Sequence, residues 1–296
     1  MDIIFGSGDD DFLDGSDDDD TLVGEEGDDV LNGFGGADVI DGSEGDDELN
    51  GGAGNDELFG ASGDDSLAGG TGDDLLAGED GDDVVHGDAG DDELFGDDGN
   101  DTLSGGSQND ALVGGEGNDE MQGGAGDDSL FGDEGDDSLY GEEGIDFLRG
   151  GSGSDLLSGG DDDDLIEGYH DSVGDGSFRD EDIVDPDTIM GGDGTDQIVL
   201  GSGDTASGGG STDLFFSGVW IDPDNPPVIE DFDEDDYLYF TVPAGEAGNF
   251  VITHETDPDT GDTRVLANGE VVTIIHSPTV PVTDSQLFVL ESDRFV

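Results

Sequence analysis

An aliphatic residue or Met recurs at every ninth position from Leu13 to Ile166, and Gly, Asp and other polar residues fill most of the space between. The series runs Leu13, Leu22, Leu31, Ile40 and onward through Val85 and Met121 without an insertion or deletion. Residues 6–167 therefore divide into 18 copies of a nonapeptide. Every copy opens with Gly, from Gly6, Gly15 and Gly24 to Gly159, and every sixth position is Asp. Self-similarity at a fixed period decides architecture before local propensity does. A copy such as Gly51–Phe59 splits into six turn-forming residues, Gly51 to Asp56, and three that extend, Glu57 to Phe59. Gly adopts positive φ without strain, so its density marks tight turns. In the extended part Leu58 points to one side and Glu57 and Phe59 to the other. One inward aliphatic per copy predicts a flattened β-solenoid, with two copies to a coil and a short strand on each of two faces. Nine such coils at the ~4.8 Å strand spacing make a rod roughly 43 Å long.

Composition adds a cation to this picture. The chain has 83 Asp plus Glu against 4 Lys plus Arg, for a formal charge of −79. The basic residues are Arg149, Arg179, Arg264 and Arg294, and there is no Lys. Such a chain compacts only when cations neutralise it. Cys is absent and His86, His170, His254 and His276 are scattered, so zinc and copper lack their usual ligands. Carboxylates and carbonyls select hard cations, and a flexible cage of many oxygens suits calcium better than magnesium. Nucleic acid and anionic membrane are excluded as direct partners by charge.

Stretches such as Gly69-Gly70-Thr71-Gly72-Asp73-Asp74-Leu75-Leu76-Ala77 and Gly123–Phe131 resemble the G-G-x-G-x-D-x-U-x repeat of RTX (repeats-in-toxin) proteins. The resemblance implies a right-handed parallel β-roll that binds calcium between turns stacked two repeats apart. The ligands it implies are loop carbonyls and the sixth-position carboxylates, paired as Asp56 with Asp74 and Asp65 with Asp83. The complete column is Asp11, Asp20, Asp29, Asp38, Asp47, Asp56, Asp65, Asp74, Asp83, Asp92, Asp101, Asp110, Asp119, Asp128, Asp137, Asp146, Asp155 and Asp164. Asp187, Asp196 and Asp213 extend it into later, less regular copies. Two edges of stacked turns give roughly 16 ions at an extracellular-type affinity of about 10⁻⁴ to 10⁻³ M. The fourth position departs from Gly at Asp9, Asp18, Gln108 and Asp162.

The organisation read from the chain is a calcium-binding roll over 1–168, an acidic insertion over 169–187, degenerate repeats over 188–217 and a β-rich cap over 218–296. Strands are predicted at Val228–Glu230, Tyr237–Val242, Phe250–His254, Arg264–Ala267, Val271–Ile275 and Leu287–Leu290, with a hairpin turn at Asn268-Gly269. Trp220, Phe232, Tyr237, Tyr239, Phe240 and Phe250 supply the larger core of a solenoid cap. No apolar run is long enough for a helical membrane span. Met1–Phe5 has no signal-peptide pattern. The ending Glu291-Ser292-Asp293-Arg294-Phe295-Val296 looks like an uncleaved type I secretion signal. Together with the repeats, this favours a Gram-negative exoprotein handled by type I secretion machinery.

No catalytic pattern stands out. His254-Glu255 is followed by Pro258 where a zinc protease carries His, and without Lys there is no phosphate-loop lysine or Schiff base. The ninth positions differ by face. One reads Val23, Asp41, Phe59, Ala77, Phe95, Val113, Phe131, Arg149 and Glu167, and the other is mostly polar. Phe59, Phe95 and Phe131 would lie roughly 10 Å apart along one face. The apolar stripe is either a ladder supporting its own sheet or a contact surface for a homo-oligomer or filament. The reading is a secreted, non-enzymatic calcium-binding roll with a structural, adhesive or surface-layer role. The alternative is an export and folding module, or accessory chain, of a larger RTX toxin or hydrolase. Ice binding is disfavoured, because positions seven and nine lack repeated Thr.

Overall fold

The computed structural model describes residues 2–168, 186–218, 221–242, 251–276 and 281–291. Residues 169–185 of the acidic insertion, with His170 and Arg179, lie outside the described residues, as do Trp220, Phe250 and the tail from Ser292 with Arg294. Among the described residues the fold is all-β, without a helix. The chain forms two units, Met1–Phe147 and Leu148–Val296.

In the first unit, strands recur every nine residues from β1 (Ile3–Ser7) and β2 (Phe12–Ser16) to β16 (Ser138–Glu143). Odd-numbered strands pair in sequence order in one parallel sheet and even-numbered strands in another. The register is a constant offset of two copies. Leu58 of β7 (Glu57–Ser62) stands beside Leu76 of β9 (Leu75–Asp80), and Phe59 beside Ala77. That offset follows from the period: each nonapeptide crosses from one sheet to the other, so every second copy meets its like. Inward eighth residues form the core, with Leu22, Leu31, Ile40, Leu58, Leu76, Leu94, Leu112 and Leu130 all at 0% exposure. Each contributes up to about 2 kcal/mol of apolar burial.

The strands are longer than the sequence pattern predicts. They take six residues, not three, because the first three positions of the next copy continue the ladder: β7 runs from Glu57 through Ser62. Only positions four to six turn the chain. The opening Gly is thus a strand residue facing inward, and it is buried from Gly24 onward in this unit. What it supplies is the absence of a side chain. A Cβ at Gly69 would lie 2.5 Å from Asp74 Oδ2, inside the space that the carboxylate fills. The second position, by contrast, accepts many residues in the left-handed region, among them Glu25 at φ 82° and Ala61 at φ 81°.

In the second unit, β17 (Phe147–Ser152), β19 (Leu165–Glu167), β21 (Gln197–Val199), β23 (Leu214–Gly218), β25 (Tyr237–Val242) and β29 (Leu287–Glu291) follow one another in one sheet. The other sheet holds β18 (Leu156–Asp161), β20 (Thr188–Asp193), β22 (Thr205–Gly210), β24 (Val228–Ile229), β28 (Glu270–Ile275), β27 (Thr263–Ala267) and β26 (Ile252–Thr256) in that order. Leu156 pairs with Thr188, so the stack bridges residues 169–185 without losing register. Strands of the 218–296 segment continue the parallel stacks, and the antiparallel pairs β26–β27 and β27–β28 end one of them. Asn268 at φ 52° and Gly269 at φ 93° make the hairpin turn between β27 and β28. Phe215, Phe232, Leu238 and Phe240 are buried, and Phe216, Tyr239 and Phe288 stack with centroids 5.2 and 5.1 Å apart.

Gly69→Ala is therefore expected to destabilise the folded chain by about 1–3 kcal/mol through overpacking. Ala61→Gly, at a second position whose φ of 81° Gly adopts without strain, is expected to change stability by less than about 1 kcal/mol. Thermal unfolding of both variants in calcium checks the order; equal losses would contradict the inward role of the first Gly.

Candidate metal centre

The turn of each copy places its sixth-position Asp against the turn two copies away. The Asp56 N–H donates to Asp74 Oδ1 at 2.8 Å, and the Asp74 N–H donates to Asp92 Oδ1 at 2.8 Å. On the opposite edge the Asp65 N–H donates to Asp83 Oδ1 at 2.7 Å and the Asp83 N–H to Asp101 Oδ1 at 2.8 Å. The pairs implied by the repeat, Asp56 with Asp74 and Asp65 with Asp83, are thus brought together through a backbone amide. The tightness of the turn dictates this. With three turn residues, side chains at position six point inward along the stack, where the next free amide is the one below.

Along most of the column, Oδ1 is satisfied in this way and Oδ2 is not. From Asp29 to Asp128, at every ninth residue, and again at Asp196, Oδ2 is buried with no hydrogen-bond partner. These side chains are at most 3% exposed. A buried, unpaired carboxylate oxygen is costly unless a cation meets it. Asp20, Asp137, Asp146, Asp155, Asp164, Asp187 and Asp213 are equally buried, and only Asp11, near the start of the first unit, is half-exposed. The surroundings of Oδ2 are oxygen as well. The point that a Cβ of Gly51 would occupy lies 2.5 Å from Asp56 Oδ2 and 2.8 Å from the Gly69 carbonyl. Among the described residues no three His, Cys, Asp or Glu side chains converge on one point. A cation here would therefore draw on backbone carbonyls in addition to carboxylates. Such an all-oxygen, partly backbone donor set suits calcium, and the residues fit it.

The structure adds two buried Asp residues to the column that the nonapeptide count misses. Asp204 accepts the Asp187 N–H at 3.1 Å and the Gly201 N–H at 2.6 Å. Asp236 accepts the Asp213 N–H at 3.0 Å through one oxygen and the Asp233 N–H at 2.7 Å through the other. Both are buried. The copy before Asp204 is one residue short and the stretch before Asp236 is longer than a copy, so the period no longer marks them. The shorter signal of Asp two residues before an inward apolar residue, Ala206 or Leu238, does. A second ladder is also missed by reading the fifth position as plain turn chemistry. Asp46 Oδ1 accepts the Asp64 N–H at 3.0 Å and Asp64 Oδ1 accepts the Asp82 N–H at 3.0 Å, in the direction opposite to the sixth-position ladder.

The departures from Gly at position four are absorbed by the backbone. Gln108 and Asp162 take φ of 82° and 78°. The turn at Gln108 keeps its bonds: its N–H reaches the Ala125 carbonyl at 2.7 Å, and Asp110 N–H reaches Asp128 Oδ1 at 2.8 Å. The described His residues stand elsewhere. His86 is exposed, His254 Nε2 lies 3.2 Å from Asp284, and His276 Nε2 lies 3.5 Å from Asp262.

Burial pushes the carboxyls of Asp47 and Asp83 up to about 6 and those of Asp65, Asp74, Asp101 and Asp110 up to about 7, against an ordinary 3.8; the amide donated to Oδ1 offsets part of that rise. A folded-state value above the unfolded one means that the fold takes up protons. Without a cation, stability is lowest above about pH 7 and rises as pH falls from about 7 toward about 4. Calcium needs the ionised form, so its midpoint moves the other way and rises below about pH 7. In chelator, β-type circular dichroism is expected to grow between about pH 8 and about pH 5. Identical chelated spectra across that window, with a pH-independent calcium midpoint, would contradict a buried, cation-requiring carboxylate column.

The model of the RTX calcium-binding nonapeptide repeat family, which spans 4 copies, matches the chain in overlapping segments from residue 1 to residue 169 and again over residues 185–205. No curated protein matches the chain. Repeats, parallel β-solenoid and buried Asp column agree with the family match, and the chain belongs to the RTX calcium-binding nonapeptide repeat family.

Proposed function

We propose that this chain is a secreted, non-enzymatic β-roll that folds on meeting extracellular calcium and serves as a structural or adhesive component. One observation carries the reading: the run of buried Asp side chains from Asp29 to Asp128 whose Oδ2 atoms have no hydrogen-bond partner among the described residues. A fold with so many buried, unneutralised carboxylates on a chain of net charge −79 is strongly disfavoured without cations. Calcium at the millimolar level of extracellular fluids supplies them at the affinity expected for such sites, about 10⁻⁴ to 10⁻³ M. Cytosolic calcium is too dilute to fill such sites, so the chain would stay unfolded until export. The ligands are the sixth-position Asp residues from Asp11 to Asp164 with Asp187, Asp196 and Asp213, and Asp204 and Asp236 join them. The spacing implies roughly 16 ions along the regular repeats. Between the stacked turns the chain's own part is to hold carboxylate and carbonyl oxygens in place; bound calcium would add the neutralising charge.

Export by type I secretion machinery is part of this reading, supported by the family match. The face carrying Phe59, Phe95 and Phe131 is its contact surface: these side chains are half-buried on one sheet, while the other sheet carries Asn50, His86, Ser104 and Gln122 at the same repeat position.

In excess chelator at neutral pH the full chain is expected to give a largely disordered far-ultraviolet spectrum, and millimolar calcium to restore β signal cooperatively. Asp92→Asn separates ligand from fold. Asn keeps the oxygen that accepts the Asp74 N–H and replaces Oδ2 with an amide. It is expected to raise the calcium midpoint about twofold or more while leaving the chelated chain no less structured. Asp91→Asn, at an exposed fifth position, is expected to leave the midpoint nearly unchanged. A native β spectrum in chelator, insensitive to calcium, would sink the proposal.

A further inference from the structure

The two sheets of the first unit carry different borders, although their backbones repeat the same turn. Third-position residues end each strand. On the odd-numbered sheet they include Glu44, Asp80, Asp98, Glu116 and Glu134, all exposed, with Ser62 interrupting the row. On the even-numbered sheet the corresponding residues are Ala53, Thr71, Ala89, Ser107 and Ala125, with an acid, Glu143, at the end of the row in β16. Both sets stand in the same paired register, Asp98 beside Glu116 and Ala89 beside Ser107. Since the neutral sheet folds with the same register, the turn does not require the acid.

The ninth positions differ in the same sense. Phe95, Val113 and Phe131 are half-buried and Ala77 is 9% exposed on the acidic sheet, where the other sheet presents His86, Ser104 and Gln122. An apolar stripe thus runs beside a row of carboxylates spaced at ~4.8 Å, and exposed fifth-position Asp73 and Asp91 flank its other side. Like charges held at that spacing repel one another, a cost that folding does not demand.

The geometry points to this stripe as a docking surface for a basic amphipathic segment of another protein. Apolar side chains of the segment seat on Phe95, Val113 and Phe131, and its Lys or Arg side chains reach the flanking carboxylates. Charge selects this occupant over a second copy, which would set its own acidic row against this one. The chain cannot supply the cations itself, because it has 4 Lys plus Arg in 296 residues. The inference rests on the calcium-folded state proposed above, and circular dichroism in the binding buffer distinguishes a failure to fold from a failure to dock.

The test uses the full chain in calcium and two fluorescent synthetic peptides of equal charge, one alternating Leu and Lys and one alternating Ser and Lys. Fluorescence anisotropy is expected to show the Leu–Lys peptide binding about tenfold more tightly. Phe95→Ser with Phe131→Ser is expected to remove that difference. Asp98→Asn with Glu116→Gln and Glu134→Gln, all exposed and so harmless to folding, is expected to weaken both peptides and flatten the salt dependence. His86→Ser with Gln122→Ser on the other sheet is expected to change neither affinity. Equal binding of the two peptides by the parent overturns the docking surface, as does full affinity in the triple acidic variant. Sedimentation showing that the chain self-associates through Phe95 and Phe131 and excludes the peptide overturns the choice of occupant. If the Phe variant fails to fold, the acidic variant decides alone.

Discussion

Each turn of the roll buries a carboxylate, satisfies one of its oxygens with a backbone amide from the neighbouring turn, and leaves the other facing protein oxygen. The amide bonds hold the turns in register: Asp47 to Asp65, Asp65 to Asp83 and Asp83 to Asp101 form an unbroken chain along one edge. The three invariant features of the repeat answer to this arrangement. Asp must be there to accept the amide. The inward Leu, Ile, Val or Met closes the core beside it. The opening Gly must lack a Cβ, because the carboxylate occupies the space where one would sit.

The same arrangement makes the fold conditional. Two charges of one sign on adjacent turns, desolvated together, raise the proton affinity of both and oppose compaction. A proton or a hard cation relieves the conflict, and only the cation does so without neutralising the carboxylate itself. The core offsets too little on its own, since each nonapeptide buries one aliphatic side chain against nine ordered residues. Stability in such a stack therefore resides in the interfaces between turns, as in other solenoids. The acidic, exposed residues at position three lie outside this logic. They are free to vary, and the difference between the two sheets at position three is a property of the surface.

Much of this was legible in the chain. The nine-residue period gave the solenoid, the alternation at Glu57, Leu58 and Phe59 gave the inward residue, and the invariant Asp marked the buried carboxylate column. What the pattern could not convey was how far the strands extend. Gly60 reads as a turn residue by propensity, yet it lies in the strand because its missing side chain matters more than its flexibility. Asp204 and Asp236 escaped because a copy one residue short, and then a longer gap, moved them out of phase while the ladder carried on through space. The parallel pairing of β25 with β23 was hidden for a related reason: Tyr237–Val242 reads as an ordinary strand, and nothing local says that its neighbour is Leu214–Gly218.

The central claim is that the orphaned Oδ2 atoms are calcium ligands, and a crystal structure of the full chain grown in calcium tests it most directly. Anomalous difference density collected at long wavelength is expected to show a peak beside Oδ2 of successive sixth-position residues from Asp29 to Asp128 on both edges. Each peak should be completed by backbone carbonyl oxygens. Peaks confined to the exposed carboxylates of positions three and five, with the buried Oδ2 atoms still without a partner, would contradict the account.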